Sequence, residues 1–331
     1  MLKIKFRITF GTILLILFLS VAIKFLWIVL APMPGEEKVV AIDIPMKFNS
    51  YQVAKTLQIK GLIRNTKYFQ ILMGLTRTSN RIKAGEYEFT TRMSMIKIVN
   101  LLKKGKVKLH EITIPEGYAI KEISELLEKN KLTKAADFVR TTRREDISKL
   151  YGVPVNSIEG YLYPDTYYLV KGMSNEEIID IMYKRFKNIT DDLEHQAEKL
   201  GYRFHEIVIL ASIIEKEAEL NEERPLISAV FHNRLKKGQN LQSCSTVIYA
   251  IGKKKRRLLN NDVLVNSVYN TYRFPGLPPN PICNPGKNSI IAALNPASVS
   301  YRYFVNIGKG RHYFSTTYKE HTNAVRKFRK W

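Results

Sequence analysis

The stretch Ile207-Val-Ile-Leu-Ala-Ser-Ile-Ile-Glu-Lys-Glu-Ala218 carries two carboxyl groups at the end of an almost wholly apolar run. Such a run predicts a helix buried in the core of a domain. Burial disfavours the charged form of a carboxyl group, so a carboxyl in this position can stay protonated and act as a general acid. The pattern is also compatible with a helix that simply runs from core to solvent. On a helical wheel Glu215 and Glu217 both face apolar neighbours, so periodicity does not rank them.

The composition of the chain limits what surrounds it. Its 331 residues suggest about two domains. Lys and Arg total 53 against 30 acidic residues, and the net charge of +23 predicts a polyanionic neighbour such as nucleic acid, anionic lipid or an acidic polymer. Two cysteines, Cys244 and Cys283, are too few for a disulfide framework, although one bridge stays open. Without a CxxC, HExxH or His/Cys cluster, no metal or cofactor is predicted.

The N-terminus predicts a membrane segment. Lys3, Lys5 and Arg7 precede apolar runs over 8–23 and 25–31, close to the roughly 20 residues that a spanning helix needs. The basic residues favour a cytoplasmic N-terminus, which puts the rest of the chain on the other side. Val29-Leu30-Ala31 resembles the cleavage site of a signal peptide. Because the apolar run is longer than in a typical signal peptide, an uncleaved anchor is the favoured interpretation.

Similarity between two segments of the chain suggests a duplicated small module. Ile42-Asp-Ile-Pro45 recurs as Ile112-Thr-Ile-Pro115, and Met93-Ser94 recurs as Met173-Ser174, each followed by an apolar helical pattern. Chance similarity between amphipathic elements is the alternative. The predicted fold class is α+β, with a mainly helical, loop-rich last domain. The predicted divisions are a cytoplasmic tip and anchor at 1–34, small α/β modules at 35–107 and 108–188, and a catalytic domain at 189–331.

Polar and aromatic side chains gather downstream of the two carboxyl groups. Amides and hydroxyls pair with sugar hydroxyl and acetamido groups, while tyrosine rings stack on the apolar faces of sugars. Ordinary packing is the alternative for each tyrosine taken alone. The candidate substrate-binding or supporting residues are Glu217, Asn233, Gln242, Thr246, Tyr249, Asn270, Thr271 and Tyr272.

Several motifs in a fixed order resemble the YceG-like family of endolytic murein transglycosylases, and the resemblance runs from the anchor to the C-terminus. The motifs around the two carboxyl groups are Leu210-Ala-Ser-Ile-Ile-Glu-Lys-Glu217, Val230-Phe-His-Asn-Arg-Leu235, Leu241-Gln242 and Thr246-Val-Ile-Tyr249. The others are Glu159-Gly-Tyr-Leu-Tyr-Pro-Asp-Thr-Tyr167, Tyr269-Asn-Thr-Tyr272, Gly276-Leu-Pro-Pro279, Asn284-Pro-Gly286, Tyr303-Phe-Val305, His312-Tyr-Phe314 and Glu320-His321.

The resemblance implies an enzyme held in the inner membrane by one helix, with LysM-like modules and a catalytic domain on the wall side. Its substrate would be peptidoglycan glycan strands, whose length it would limit during wall synthesis, and contact with peptidoglycan synthases is a further implied partnership. The first glutamate of the Glu-Lys-Glu motif is the catalytic one, which maps to Glu215. The chain departs from the family at Cys244-Ser245, where Asp-Pro is usual, and at Asn280, where Gly is favoured.

One carboxyl group is enough for the implied reaction. A hydrolase normally needs two carboxylates, whereas a lytic transglycosylase lets the C6 hydroxyl of the muramic sugar attack its own C1. The alternative is a non-catalytic wall-binding scaffold with a decayed site. A nucleic-acid partner, suggested by Lys253-Lys-Lys-Arg-Arg257, is disfavoured because no nucleic-acid module is recognisable and the chain is predicted to be exported.

Overall fold

The computed structural model describes residues 10–45, 48–79, 82–253, 255 and 258–328, without the side chain of Phe10. The basic residues Lys3, Lys5 and Arg7 lie outside this part of the chain, as do three of the five residues in the 253–257 run. The orientation of the anchor and the role of the basic run therefore stay predictions.

The first helix, α1 (Phe10–Leu30), is apolar on every side. Among the described residues it is the one helix long and apolar enough to cross a membrane, a test that a signal sequence also passes. Most of its side chains are exposed, as expected of a helix that packs against few protein groups over most of its length.

The chain divides into two compact units, and the first comprises Met1–His110 with Tyr168–Met173. After α1 it contains β1 (Val39–Ile44), α2 (Ser50–Ile59), α3 (Thr66–Leu75), β2 (Gly85–Thr90) and α4 (Met95–Lys104). The strands β1 and β2 pair antiparallel, from Val39 opposite Thr90 to Ile44 opposite Gly85. A capping box between Asn49 and Gln52 starts α2. The helices bury their apolar stripes against one face of this sheet.

The last turn of α1 is part of the core of the first unit. Ile28 and Val29 are buried in the same cluster as the side chains of α2, α3 and α4. The guanidinium of Arg64 donates to the carbonyl oxygens of Ala31 at 2.8 Å and Pro32 at 2.5 Å, and it lies over the ring of Trp27. These contacts fix the end of α1 to the module that follows it.

The second unit comprises Glu111–Tyr167 with Ser174–Trp331. The strands β3 (Leu109–Thr113) and β4 (Thr166–Val170) form a two-stranded sheet, and the boundary between the units falls within both strands. The helices are α5 (Ile120–Lys129), α6 (Ala135–Thr142), α7 (Glu145–Leu150), α8 (Asn175–Thr190), α9 (Glu194–Lys199), α10 (Phe204–Glu217), α11 (Arg224–Lys236), α12 (Cys244–Ile251), α13 (Lys287–Leu294) and α14 (Tyr318–Phe328). An antiparallel hairpin, β5 (Tyr303–Gly308) with β6 (Arg311–Ser315), precedes α14.

The helix α10 forms the centre of the second unit. Every side chain from Ile207 to Ile214 is buried, because α9, α11, α12 and α13 all pack against it. A helix covered on all sides needs an apolar surface all round, which explains the uninterrupted run in the sequence. The helix ends at Glu217, where the chain turns towards solvent.

The mixed α+β fold is confirmed, with small two-stranded sheets among many helices. The order β1-α2-α3-β2-α4 is followed by β3-α5-α6-α7-β4-α8, so the two segments have the same order of elements apart from α7. The boundaries at 34, 107 and 188 and the LysM-like character of the modules stay predictions.

Candidate active site

Glu215 lies in the last turn of α10, and only 6% of its side chain is exposed. Arg224 Nη2 donates to its Oε1 at 3.2 Å, and the backbone N–H of Gly286 donates to its Oε2 at 3.0 Å. Burial disfavours the charged form of a carboxyl group, while a cation and a backbone donor favour it. Glu215 thus has a cation on one carboxyl oxygen and a backbone donor on the other.

The guanidinium of Arg224 is fixed by three acceptors. Besides Glu215, it donates to Asn221 Oδ1 at 2.9 Å and to Ser289 Oγ at 2.5 Å, and 8% of the side chain is exposed. Arg224 is the first residue of α11, held at that position by a short 3₁₀ turn at Asn221–Glu223 and by a proline near the start of the helix. A buried cation held in this way keeps its direction towards Glu215.

Asn284 connects three segments around Glu215. Its Oδ1 accepts from the N–H groups of Gly160 and Leu162, both at 2.9 Å. Its Nδ2 donates to the carbonyl of Tyr118 at 2.8 Å, and its backbone pairs with Gly117 and Tyr118. Asn284 is completely buried, so this amide sets how the 284–286 loop approaches the carboxyl group.

A second carboxyl group, that of Glu116, lies beside the first and was missed by sequence reasoning. A methyl group on Gly286 would stand only 1.9 Å from Glu116 Oε1, which puts the carboxyl directly on the glycine that donates to Glu215. Partial burial and the negative charge of Glu215 raise the pKa of Glu116, while Arg224 opposes them. The available signal was the Pro115-Glu116-Gly117 turn, which follows the predicted second strand.

A third carboxyl group, that of Glu159, is buried beneath the site. It accepts from the N–H of Ile120 at 2.9 Å, the phenol of Tyr249 at 3.2 Å and the amide of Asn284 at 3.2 Å. Burial raises the pKa of Glu159 to about 8, against the hydrogen bonds that lower it. This carboxyl is therefore neutral at neutral pH and acts within the protein's own hydrogen-bond network.

Glu217 belongs to a different set of contacts from Glu215. Its Oε1 accepts from Ser243 Oγ at 2.5 Å and Ser245 Oγ at 3.0 Å. These serines flank the start of α12, so Glu217 connects the end of α10 to that helix. The resemblance described above predicts proline at position 245, and the Ser245 hydroxyl supplies a hydrogen bond that proline could not.

The predicted amide and hydroxyl residues mostly bond to the protein. The amide of Asn233 donates to the carbonyls of Val299 and Tyr301, both at 2.8 Å. Thr246 and Thr271 are buried and share a hydrogen bond of 2.9 Å. Asn270 is buried and donates to two carbonyls of the 263–265 turn. Asn233 thus orders the 299–301 segment, while Thr246, Asn270 and Thr271 order the loops beside α12.

Three predicted residues keep more of their surface open. Gln242 is exposed and has the left-handed φ of 52°, in a turn held by its own N–H to the carbonyl of Thr271. Tyr272 is half-buried, with its phenol 3.1 Å from Cys244 Sγ. Tyr249 is also half-buried and packs against Tyr269 with ring centroids 5.0 Å apart.

Cys244 and Cys283 do not form a disulfide; Cys244 is exposed and Cys283 is buried. Burial raises the pKa of the Cys283 thiol well above its usual range, so that sulfur is an apolar packing group. Within the described ranges, no three His, Cys, Asp or Glu side chains converge in a way that could hold a metal ion.

A cleft of about 810 Å³ opens beside the N-terminal half of α10, where it is lined by His205, Ile209 and His232 among others. Both imidazoles already have protein partners: Tyr161 and the carbonyl of Pro279 for His205, and the carbonyl of Ala293 for His232. Glu215 lies about two turns of helix beyond Ile209, so this cleft is separate from the carboxyl site.

Comparison with known proteins connects this geometry to a family. An endolytic murein transglycosylase of Bacillus subtilis is 32% identical over 316 residues, covering 90% of this chain and 88% of the relative. One of the same name from Streptococcus pneumoniae strain D39 is 28% identical over 88% of this chain, which spans only 58% of that longer relative. The crystal structure of a yceG-like protein of Listeria monocytogenes shares 32% identity and superposes with a TM-score of 0.61, covering 87% of this chain and all of that one. Residues 42–327 match the model of the YceG-like family, and the chain therefore belongs to that family.

Proposed function

We propose that the protein is an endolytic peptidoglycan lytic transglycosylase that cleaves the bond between N-acetylmuramic acid and N-acetylglucosamine within glycan strands. The observation that carries the proposal is the buried Glu215 carboxyl, bonded to Arg224 and to the Gly286 N–H. The Bacillus subtilis relative, named an endolytic murein transglycosylase, supports the choice of substrate.

The proposed mechanism uses one carboxyl group twice. Protonated Glu215 gives its proton to the glycosidic oxygen, and the bond from that oxygen to C1 of the muramic sugar breaks. Glu215, now a carboxylate, takes the proton from the C6 hydroxyl of the same sugar while that oxygen bonds to C1. The products are an N-acetylglucosamine end with a free hydroxyl and a 1,6-anhydro end, and Glu215 has regained its proton.

Arg224 and the Gly286 N–H act on Glu215 during this cycle. Both stabilise the Glu215 carboxylate that exists between the two proton transfers. Because Arg224 is itself fixed by Asn221 and Ser289, this stabilisation is present before the substrate binds. No attacking water enters the scheme, so a second carboxylate in the place of Cys244 is not required.

The more open side chains are the proposed sugar contacts. Gln242 has an exposed amide and Tyr272 a half-exposed ring, while the Glu217 carboxylate is held at the start of α12. Tyr249, Asn233, Thr246, Asn270 and Thr271 are proposed as supporting residues, because their polar atoms bond to the protein.

We also propose that α1 is an uncleaved anchor in the inner membrane, with its N-terminus in the cytoplasm and the catalytic unit on the wall side. Val29, in the cleavage-like Val29-Leu30-Ala31, is buried, and the Ala31 carbonyl is bonded to Arg64. A segment in such contacts is a poor protease substrate, since proteolysis favours exposed, mobile chain. Intact mass of the protein extracted from membranes should include residues 1–34.

The modules that follow the anchor are proposed to be LysM-like and to hold glycan strands near the site. Through them the enzyme would limit the length of new strands, in company with peptidoglycan synthases. The order of strands and helices, β1-α2-α3-β2-α4 and then β3-α5-α6-α7-β4-α8, supports two related modules.

The decisive experiment is digestion of purified glycan strands by the Glu215→Gln variant. This change keeps the size of the side chain but removes its proton donor, so release of 1,6-anhydro-muropeptides should fall by about 100-fold or more. Glu111→Gln, which alters an exposed carboxyl on β3, is the control and should leave the rate unchanged. Normal activity in Glu215→Gln would refute the assignment, and inactivity of the wild type would favour the wall-binding scaffold.

A further inference from the structure

The turn that carries Glu116 packs on the end of α10. The N–H of Gly117 donates to the carbonyl of Asn284 at 2.9 Å, and Lys216 Nζ donates to the carbonyl of Gly117 at 3.1 Å. Gly117 has a φ of +78°, and a methyl group there would lie 3.6 Å from Glu215 Cγ. Two independent hydrogen bonds thus hold this turn beside the catalytic candidate.

Glu116 and Glu215 approach the same glycine. The N–H of Gly286 donates to Glu215 Oε2 at 3.0 Å, while a methyl group built on Gly286 would be 1.9 Å from Glu116 Oε1 and 2.1 Å from its carboxyl carbon. The backbone of Gly286, with φ −77° and ψ 168°, is one that any residue can adopt. An alanine at this position would therefore have to push aside only the end of the flexible Glu116 side chain.

The charged and titratable groups around Glu116 come from three segments. Glu215 and Lys216 lie on α10, Arg224 begins α11, and Tyr163 belongs to the segment before β4. The pKa of Glu116 is raised by burial and by the charge of Glu215, and lowered by Arg224. The pKa of the Tyr163 phenol is raised by its own burial and next by Glu116. Glu116 therefore interacts with Glu215 and Arg224 together.

Arg224 creates a difficulty that Glu116 can resolve. A general acid must carry its proton when the substrate arrives, yet Arg224 and the Gly286 N–H both favour the ionised form of Glu215. Two neighbouring carboxyl groups resist ionising together, and their protons leave in two steps that belong to the pair. A second carboxyl at this place therefore opposes the effect of the guanidinium.

We propose, on the basis of the function proposed above, that Glu116 is a positioning residue that keeps one proton on the Glu116–Glu215 pair, so that Glu215 enters the reaction protonated. Glu116 does not touch the reacting atoms in this role. The proton that Glu215 gives to the glycosidic oxygen is replaced by the proton from the C6 hydroxyl, and Glu116 gains and loses nothing over the cycle.

The test is the pH profile of kcat/KM for release of anhydro-muropeptides from purified glycan strands. Glu116→Gln keeps the size of the side chain and removes a negative charge beside Glu215, so the alkaline limb of activity should move to lower pH by about one unit. Above that limb, activity should fall about tenfold. Rates on the acidic side should stay close to those of the wild type.

Gly286→Ala supplies a second variant of different chemistry. The new methyl group must displace the Glu116 carboxyl, while the backbone N–H that donates to Glu215 remains. The alkaline limb should move in the same direction, although Glu116 is unaltered. Glu111→Gln removes an equal charge from an exposed site on β3 and should leave the limb in place.

If Glu116 only supported the fold, the two variants would give a different pH profile. If both variants kept the alkaline limb of the wild type, or lost activity equally at every pH together with thermal stability, the pairing would be wrong. A ¹³C titration of the Glu116 carboxyl separates this inference from the proposed function. In the Glu215→Gln variant it should titrate at lower pH than in the wild type, whatever reaction the protein catalyses, and an unchanged titration would overturn the pairing.

Discussion

Glu159 is a carboxyl group that the fold keeps neutral. It is 3% exposed and accepts from Ile120, Tyr249 and Asn284, yet burial outweighs these bonds and raises its pKa to about 8 from an ordinary value of 4.5. Below pH 4.5 the carboxyl is protonated in the folded and unfolded chains alike. Between pH 4.5 and 8 the unfolded chain releases the proton and the folded chain keeps it, so stability falls as the pH rises.

The Glu159→Gln variant should not lose stability in this way as the pH rises from 4.5 to 8. Glutamine can accept from Ile120 and Asn284 and stays neutral at every pH, so the variant should be more stable than the wild type at pH 8, by about 1.4 kcal/mol for each unit of pKa difference. Near pH 4.5 the two proteins should be about equally stable. Denaturant unfolding across this range measures the difference, and a difference that does not vary with pH would contradict the explanation.

At the scale of residues, sequence found the position of one carboxyl and missed its companions. The apolar run and the family resemblance led to Glu215, and the structure gives it a set of partners different from that of Glu217. Glu116 lies about one hundred positions earlier in the chain. Its place beside Glu215 depends on Asn284, Gly286 and Lys216 together, and periodicity carries no information about such long-range contacts.

At the scale of elements, the segment after Glu159 shows how closely loops pack on α10. Gly160 has a φ of +92°, and a methyl group there would meet the Pro281 ring at 2.5 Å and Val208 Cγ1 at 3.0 Å. Both neighbours are short, fixed side chains that cannot easily move aside. The loop before β4, the 278–284 loop and α10 therefore meet at a point where only glycine fits.

Gly160→Ala should destabilise the protein by about 3 kcal/mol or more, because it combines overpacking with backbone strain. Gly152→Ala is the matched control, since Gly152 has a φ of +67° and nothing within 4 Å of an added methyl group. That control should cost only about 1–2 kcal/mol, the strain of a left-handed residue. Equal losses in thermal unfolding would mean that the Pro281 contact is not tight.

The elements themselves were largely within reach of sequence. The buried helix predicted for the 207–218 run is α10, which extends from Phe204 to Glu217. The connection from α8 to the shorter α9 is a 3₁₀ turn at Asp191–Leu193. Such joints depend on packing against neighbouring helices and leave little trace in local periodicity.

At the scale of the whole molecule, the end of α1 shares a core with the rest of the first unit. Val29 is 4% exposed and Leu30, its neighbour, 52%. Val29→Ala in the full chain should therefore lower the free energy of unfolding by about 2 kcal/mol. Leu30→Ala should change it by about 0.5 kcal/mol at most. Thermal unfolding in detergent micelles would measure both, and similar effects would mean that α1 does not pack as described.

The course of the boundary between the two units could not be foreseen from the sequence, although the chain length suggested about two domains. Tyr168–Met173 belong to the first unit although the residues on both sides of them belong to the second. Predicted domains that follow one another along the chain cannot include a segment such as 168–173, which belongs to the first unit but interrupts the second. The charge of +23 likewise indicated an anionic partner but not where it binds.

The contacts between the end of α1 and the rest of the first unit also limit how far that unit can move away from α1. A flexible linker lets a tethered domain roam roughly 5–6 Å times the square root of its residue number, but Arg64 bonds the chain at Ala31 and Pro32, immediately after the helix. With α1 in a bilayer, no flexible linker separates the rest of the first unit from the membrane. It stays at one height and travels only as fast as its anchor diffuses sideways. It would then meet wall polymer only by two-dimensional diffusion, in the layer next to the membrane.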